Sequence, residues 1–161
     1  ARGGERLVQF SDGKRLTVKI PSGIQDGSKI KLSGQGDPGM AGGPSGDLIL
    51  SLKVTPHPYF EREGQHVFLK LPITFSEAVL GAEVLVPTLD GPVHLRIPSG
   101  ISSGQKLKLS GKGIFSQQTG KKGDQLVEVQ IKVPSQISED YKNAAASLQN
   151  VHFNPRSDLG V

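Results

Sequence analysis

Apolar and polar side chains alternate with a period of two along most of the chain, and this spacing is typical of half-buried β-strands. Short segments rich in Gly, Pro, Asp and Ser separate the alternating runs and predict turns. Because one side of each run is polar, we expect antiparallel sheet with one packed and one solvated face. The runs are residues 6–10, 16–20, 29–32, 48–54, 67–71, 84–86, 93–97 and 127–133.

Two segments depart from this period. Residues 76–80 are long enough for about one helical turn. Residues 138–149 begin with a serine suited to an N-cap, carry acidic residues in the first turn and contain three consecutive alanines, which together predict a helix. We therefore predict an all-β fold made of two tandem β-sandwich-like subdomains with a short C-terminal helix.

An internal repeat organises the chain. Residues 16–36, LTVKIPSGIQDGSKIKLSGQG, return 77 positions later as VHLRIPSGISSGQKLKLSGKG, with 12 of the 21 residues identical. We call the two copies repeat one and repeat two. With a one-residue gap the similarity extends back to Gly3, which matches Gly81. The strand predicted at residues 67–71 precedes repeat two and has no counterpart before repeat one, so we expect the chain to begin inside repeat one.

Composition excludes several classes of protein. The 161 residues contain no cysteine, so disulfides, thiolate metal sites and cysteine nucleophiles are excluded, and a reducing compartment is favoured. No run reaches the roughly 18 apolar residues of a membrane helix, and we expect a cytoplasmic protein with no membrane partner. The net charge of +4 is too small to indicate a nucleic-acid partner by itself.

The candidate motifs for catalysis or cofactor binding are weak. Residues 34–39 fit G-x-G-x-x-G, but the following MAGGPSGD cannot begin the helix that a pyrophosphate site requires. The four histidines have no i, i+4 pairing, and no G-x-S-x-G elbow is present. We therefore predict no catalytic residues, no metal and no cofactor. For the lysines that alternate along residues 29–31 and 106–108, a solvated strand face is the simpler interpretation than phosphate contacts.

The two repeats differ at one strand. In repeat one, Val8, Phe10 and Arg6 share a face, whereas the matched positions of repeat two carry Val86, Thr88 and Val84. Two interpretations remain. Either Phe10 fills a gap in the core, or repeat one has an exposed apolar pocket edged by positive charge. The second would suit an extended peptide that adds as a strand to a sheet edge.

Longer strings resemble a known family. GDLILSLKVTPHPYFEREG at residues 46–64, ITFSEAVLGAEVLVPTLDG at 73–91 and the twice-used IPSGI motif resemble the C-terminal substrate-binding region of the DnaJ (J-domain) co-chaperones. The resemblance implies a first β subdomain at residues 1–57, a second at 58–134, and a helix and tail at 135–161 that joins a homodimer. It also implies that the protein binds unfolded or partly folded polypeptides and delivers them to a DnaK-type ATPase chaperone.

The resemblance also implies which residues bind peptide. In that family the groove lies on the first subdomain and is lined by residues that match Val8, Phe10 and Leu50. Arg6 matches a basic residue that pairs with acidic peptides, including the acidic C-terminal tail of some DnaK-type partners. Lys14 or Arg15 falls near a second basic position.

The sequence lacks two motifs that occur in members of this family, the zinc-binding cysteines and the His-Pro-Asp tripeptide. Residues 11–15 stand where one branch inserts zinc-binding cysteines, so the resemblance is to the zinc-free branch with a short hairpin there. The His-Pro-Asp tripeptide of the J-domain is absent, and we expect peptide binding without stimulation of a partner ATPase. Some members of this branch bind curved DNA, which is the alternative function.

Overall fold

The computed structural model describes residues 3–10, 13–39, 43–117, 119–149, 151 and 153–159. Within them most of the regular secondary structure is β-strand, arranged in several sheets, which confirms the predicted all-β fold. The chain divides into two compact units, Ala1–Ile131 and Lys132–Val161. The elements are β1 Gly4–Gln9, β2 Arg15–Ile20, β3 Lys29–Leu32, β4 Leu48–Ser51, β5 Phe60–Glu63, β6 His66–Ile73, α1 Phe75–Leu80, β7 Ala82–Val86, β8 Val93–Ile97, β9 Lys106–Leu109, β10 Gln125–Ile131 and α2 Glu139–Leu148.

Repeat two forms a sandwich together with the preceding strands β5 and β6, which we count with repeat two from here on. Its larger sheet has the strand order β5-β6-β10-β9, and a β7-β8 ribbon provides the second layer. The inward residues of β6 and β10 alternate with half-buried or exposed ones and pack with the inner side of the ribbon, as the period of two requires. The core consists of Leu69, Leu71, Ile73, Ala78, Val86, Leu95, Ile97, Ile101, Val127 and Val129.

One pairing differs from the prediction of antiparallel sheet. Strands β6 and β10 are parallel, with Val67 opposite Gln125 and Ile73 opposite Ile131. Parallel neighbours need a long crossover, and here α1 and three strands lie between β6 and β10 along the chain. The alternation of apolar residues is the same for either direction, so the expectation of purely antiparallel sheet was wrong at this pair. Strand β5 was not predicted at all.

Repeat one is built from two antiparallel pairs, β1-β2 and β3-β4. Of its described hydrophobic side chains, Val18 alone is buried, with 2% of its surface exposed. Strand β4 pairs with β3 alone among the described strands, whereas its counterpart β10 pairs with both β9 and β6. Repeat one therefore has a thinner core than repeat two.

The duplication is visible in matched hydrogen bonds. Gly34 N–H donates to Asp47 Oδ1 over 3.1 Å, and 77 residues later Gly111 N–H donates to Asp124 Oδ1 over 2.9 Å. Lys31 Nζ lies 2.7 Å from Asp47 Oδ2. This ion pair, and then the Gly34 N–H, lower the pKa of Asp47 below its ordinary value. The aspartates therefore tie each copy's glycine-rich loop to the start of its last strand.

A glycine at the start of each copy has a positive φ and lies close to backbone atoms of the same copy. Gly3 has a φ of +72°, and a Cβ on it would lie 2.7 Å from the carbonyl oxygen of Ile20. Gly81 has a φ of +78°, and its Cβ would lie 3.0 Å from the oxygen of Ile97. Both positions need a residue without a side chain, which supports the alignment with a one-residue gap.

The helices begin with capping residues. The first, α1, starts at Phe75, one residue before the predicted position, and Thr74 and Glu77 form a capping box. In the second unit, Ser138 Oγ accepts from the Tyr141 N–H over 3.2 Å, so α2 confirms the helix predicted at residues 138–149. No described side chain of α2 is buried. Neither helix has the length and apolar character required to cross a membrane, within the described part of the chain.

Candidate functional site

Strand β1 presents two different faces. It pairs with β2 so that Arg6 lies opposite Val18 and Val8 opposite Leu16. Directly paired residues share a face, so Arg6 and Val8 lie over the buried side of the hairpin. Phe10 follows the end of β1, and its N–H still donates to the Lys14 carbonyl over 2.9 Å, which continues the alternation. The predicted shared face of Arg6, Val8 and Phe10 is therefore present.

The outer edge of β1 carries backbone groups that pair with no strand in the described part of the chain. Strands β1 and β2 form a sheet of two among the described strands, so one side of β1 faces no other strand. Val8 and Phe10 are half-buried beside this edge, and Arg6 is exposed. We call the outer edge of β1, with the face of Arg6, Val8 and Phe10, the β1 groove. An open edge of this kind can accept an added strand.

Repeat two provides an internal comparison. The residues matched to Val8 and Phe10 are Val86 and Thr88, with 0% and 7% of their surfaces exposed. Val86 packs in the core with Ile73 and Ala78, which belong to β6 and α1. Counterparts of β6 and α1 are not found in the described part of repeat one. Among the described residues, Val86 is therefore fully buried, whereas its counterpart Val8 is half-buried.

The other predicted binding residues lie in different places. Arg15 is opposite Gln9 and so lies on the other face of the hairpin from Arg6. Lys14 lies in the turn after Phe10, next to Ser11 and Asp12, which are outside the described residues. Leu50 is half-buried on β4, opposite Ile30, and therefore belongs to a separate sheet. The structure thus groups Arg6 and Val8 of β1 with Phe10, which directly follows the strand, and the role of all six residues stays a prediction.

The two repeats meet through a clamp made by Arg62. This residue of β5 donates from Nη1 to the Ile24 carbonyl over 2.6 Å and from Nη2 to the Gly23 carbonyl over 2.8 Å. Its Nε donates to Gly64 O over 2.9 Å, so the same guanidinium also forms a hydrogen bond within the β5-β6 hairpin. The clamp joins the turn after β2 in repeat one to the β5-β6 hairpin of repeat two.

Aromatic residues of the segment before β5 form the other part of this junction. The ring centroids of His57 and Tyr59 are 4.3 Å apart, and those of Tyr59 and Phe60 are 4.7 Å apart. His57 Nδ1 lies 3.4 Å from the backbone nitrogens of Tyr59 and Phe60 and accepts from both. The residue-level reasoning missed this cluster. Its signal was the concentration of three ring residues in HPYF within a chain with few aromatics.

The histidines, the glycine-rich segment and the alternating lysines have structural rather than catalytic surroundings in the described residues. Within the described residues, no group of three or more His, Asp or Glu side chains could hold a metal ion. Gly36 N–H donates to Gly46 O over 2.8 Å, so the G-x-G-x-x-G segment pairs with the chain before β4. Lys31 pairs with Asp47, and Lys106 Nζ lies 5.6 Å from the ring centre of Phe68. These lysines support the interpretation of a solvated strand face.

Comparisons with known proteins agree with one another. A family model described as DnaJ C terminal domain matches residues 4–134. The chain is 40% identical to the chaperone protein DnaJ of Bacillus licheniformis over 141 residues, which cover 88% of this chain and 38% of that protein. It is 49% identical to the chaperone protein DnaJ of Acetivibrio thermocellus over 128 residues, 80% of this chain and 33% of that protein.

A third relative extends over more of the chain. The chaperone protein DnaJ of Roseiflexus sp. is 40% identical over 151 residues, which cover 91% of this chain and 41% of that protein. The chain therefore spans about a third to two fifths of the length of these relatives.

Proposed function

Because the chain belongs to the DnaJ C-terminal domain family, we propose that it binds unfolded or partly folded polypeptides in extended form and delivers them to a DnaK-type ATPase chaperone. The chain is a DnaJ-type chaperone C-terminal domain, and that family is not an enzyme family. Binding takes place in the β1 groove, with client main-chain groups pairing along β1 and apolar side chains seated against Val8 and Phe10.

The observation that carries this proposal is the difference between the repeats. In repeat two Val86 has none of its surface exposed, whereas in repeat one Val8 and Phe10 are half-buried beside an edge of β1 that faces no described strand. An apolar face beside an open edge favours association with another chain. Main-chain pairing contributes affinity that depends little on sequence, as a chaperone of many clients requires.

The positive charge of Arg6 at the groove favours the binding of clients with acidic residues. Arg6 is exposed, and its guanidinium makes no hydrogen bond or ion pair with any residue that the structure describes. A guanidinium presents two parallel donors to a carboxylate, so it suits an acidic client or an acidic C-terminal tail of a DnaK-type partner. Leu50, Lys14 and Arg15 remain proposed contributors from neighbouring segments.

The test compares two substitutions on opposite faces of one strand. Phe10→Asp places a carboxylate in the groove, while Leu7→Asp places one on the other face, where Leu7 has 64% of its surface exposed. Binding of a labelled, reduced and unfolded client is measured by fluorescence anisotropy. Burying the new carboxylate costs several kcal/mol, so Phe10→Asp should weaken binding by at least about tenfold. Leu7→Asp should leave the affinity unchanged.

Folding controls and two outcomes complete the experiment. Far-UV circular dichroism and thermal unfolding show whether each variant retains its fold. Unchanged client affinity in a folded Phe10→Asp protein overturns the groove, and equal losses in both variants overturn its assignment to this face. The DNA-binding alternative is tested by titrating a curved duplex at about 50 and 200 mM salt, because release of counterions makes such binding steeply salt-dependent.

We also propose that the second unit joins two copies of the protein. The apolar side chains Leu148, Val151 and Phe153 are exposed there, and α2 buries none of its described residues. Such a surface favours association. Sedimentation of the chain and of Leu148→Asp tests this: the wild type should sediment as a dimer and the variant as a monomer, and identical monomers contradict the proposal.

A further inference from the structure

A cleft lies at the junction of the two repeats, at the Gly4 end of β1. Its volume is about 570 Å³. One wall is the end of the β1-β2 hairpin, and the other is the aromatic segment before β5 together with the loop after β7. We call it the junction cleft. The side chains used below are Arg6, Ile20, Ile24, Tyr59, Phe60 and Leu89.

The cleft continues the β1 groove. Phe10, Val8 and Arg6 follow one another along one face of β1, and Arg6 also lines the cleft. Six residue steps separate Phe10 from Gly4, which is about 20 Å of extended chain. A client segment of about seven residues would therefore cover the groove, and the residues beyond it would enter the cleft.

The aromatic wall is held in place before any ligand binds. Tyr59 has 52% of its surface exposed, and its ring contacts the rings of His57 and Phe60 at centroid distances of 4.3 and 4.7 Å. The Arg62 clamp fixes Ile24 on the opposite wall through its carbonyl. An exposed tyrosine that contacts neighbouring rings offers a large contact area at a small entropy cost, which suits a ring or a large aliphatic side chain.

The charge of the lining restricts the ligand further. Arg6 is the charged side chain of the cleft, and none of the described lining residues is Asp or Glu. The remaining described lining consists of glycine, Thr88, apolar side chains and the rings of His57, Tyr59 and Phe60. A carboxylate near Arg6 meets a cation without a competing anion in the lining, whereas a lysine there would face repulsion. The site therefore complements an acidic residue that is followed by an apolar one.

We propose that the junction cleft selects, among extended clients, segments with an acidic residue opposite Arg6 and an aromatic or large aliphatic residue one or two positions nearer the cleft. This inference rests on the proposed function, because the segment is presented to the cleft by pairing along β1. Tyr59 is then a specificity-determining residue for the client, and Arg6 links groove and cleft.

The experiment uses three labelled peptides of about nine residues with apolar residues at alternate positions. One ends in Asp-Xaa-Phe, the second in Lys-Xaa-Phe and the third in Asp-Xaa-Ser, and each is also made with this end reversed because a strand can add in either direction. The full chain and the variants Arg6→Gln, Tyr59→Ser and Tyr59→Phe are titrated by anisotropy. Tyr141→Ser in α2 is the matched control, since Tyr141 is also an exposed tyrosine.

The wild type should bind the Asp-Xaa-Phe peptide about tenfold more tightly than either other peptide. Arg6→Gln should remove the preference for Asp over Lys and keep the preference for Phe over Ser. Tyr59→Ser should do the opposite, Tyr59→Phe should behave as the wild type, and Tyr141→Ser should change neither preference. A merely structural role for Tyr59 would weaken all three peptides equally.

The two proposals fail in different ways. If Phe10→Asp abolishes binding of every peptide while the preferences survive in Arg6→Gln and Tyr59→Ser, the cleft inference is overturned and the β1 groove stands. If the wild type shows no preference among the peptides, the cleft inference is likewise overturned. If Phe10→Asp leaves all three affinities unchanged, the proposed function is overturned and this inference with it.

Discussion

Alanine substitutions at two matched glycines measure how much the contact between the repeats contributes to stability. Gly23 and Gly100 are the last residues of the two IPSG turns and have nearly the same φ, +77° and +76°. A Cβ on Gly23 would collide with the carbonyl oxygen of Phe115 in repeat two, whereas a Cβ on Gly100 would meet no atom within 4 Å. Alanine at either position suffers the same backbone strain. The two substitutions therefore differ by the contact at the junction.

The expected loss of stability is the backbone strain of alanine at both positions plus, for Gly23→Ala, the steric contact with repeat two. A left-handed conformation costs alanine about 1–2 kcal/mol, which applies to Gly23→Ala and Gly100→Ala alike. Overpacking against a backbone atom that cannot rotate away adds about 1–3 kcal/mol for Gly23→Ala. In a chain of 161 residues, each kcal/mol lowers the Tm by about 2–4 °C. Gly23→Ala should thus unfold roughly 2–12 °C below Gly100→Ala.

The assay is differential scanning calorimetry of the wild type and both variants at one protein concentration. Equal Tm values for the two variants would refute the reasoning, because the turn of repeat one would then not lie against repeat two in solution. A larger loss in Gly100→Ala would refute it as well. Splitting of the unfolding transition in Gly23→Ala alone would show that this contact couples the two repeats.

Three further predictions concern single interactions. Arg62→Lys should lower the Tm, measured by calorimetry, by several degrees, because lysine cannot donate hydrogen bonds to two carbonyls at once as the guanidinium does. The control Arg96→Lys, on the exposed side of β8, should leave the Tm unchanged. Asp47→Asn should lower the Tm at pH 7. The difference in Tm from the wild type should shrink as the pH falls through the lowered pKa of Asp47, because the ionised carboxylate stabilises the fold only above that pKa. A difference in Tm that is independent of pH would contradict this prediction. Ser138→Ala should destabilise α2 by about 1 kcal/mol and reduce the helical circular dichroism signal, and an unchanged signal would mean that the cap contributes nothing.

Much of the local structure was predictable. Alternation of apolar residues located the strands of the β1-β2 and β7-β8 pairs. Local signals located α2, because a serine cap and its first turn lie within four residues of one another. Two runs were predicted too long. Strands β4 and β10 end at Ser51 and Ile131, while the apolar Val54 and Val133 beyond them are exposed. Alternation continues in the sequence past the point where a neighbouring strand is available.

The candidate site was predictable only in part. The shared face of Arg6 and Val8 follows from their spacing, since side chains alternate along any strand. The face of Arg15 depends on the register of the hairpin, which the five residues between Gln9 and Arg15 set. The aromatic wall depends on contacts between segments more than thirty residues apart, such as Arg62 with Gly23.

The sequence by itself determined the β class, the duplication, the capped helix and the amphipathic character of β1, because each depends on neighbours within a few residues or on the comparison of one copy with the other. The tertiary structure alone decided that β6 runs parallel to β10, that Val86 is sealed while Val8 is accessible, and that a cleft opens at the junction. Periodicity specifies which side of a strand is apolar, but it does not specify which strand or solvent that side meets.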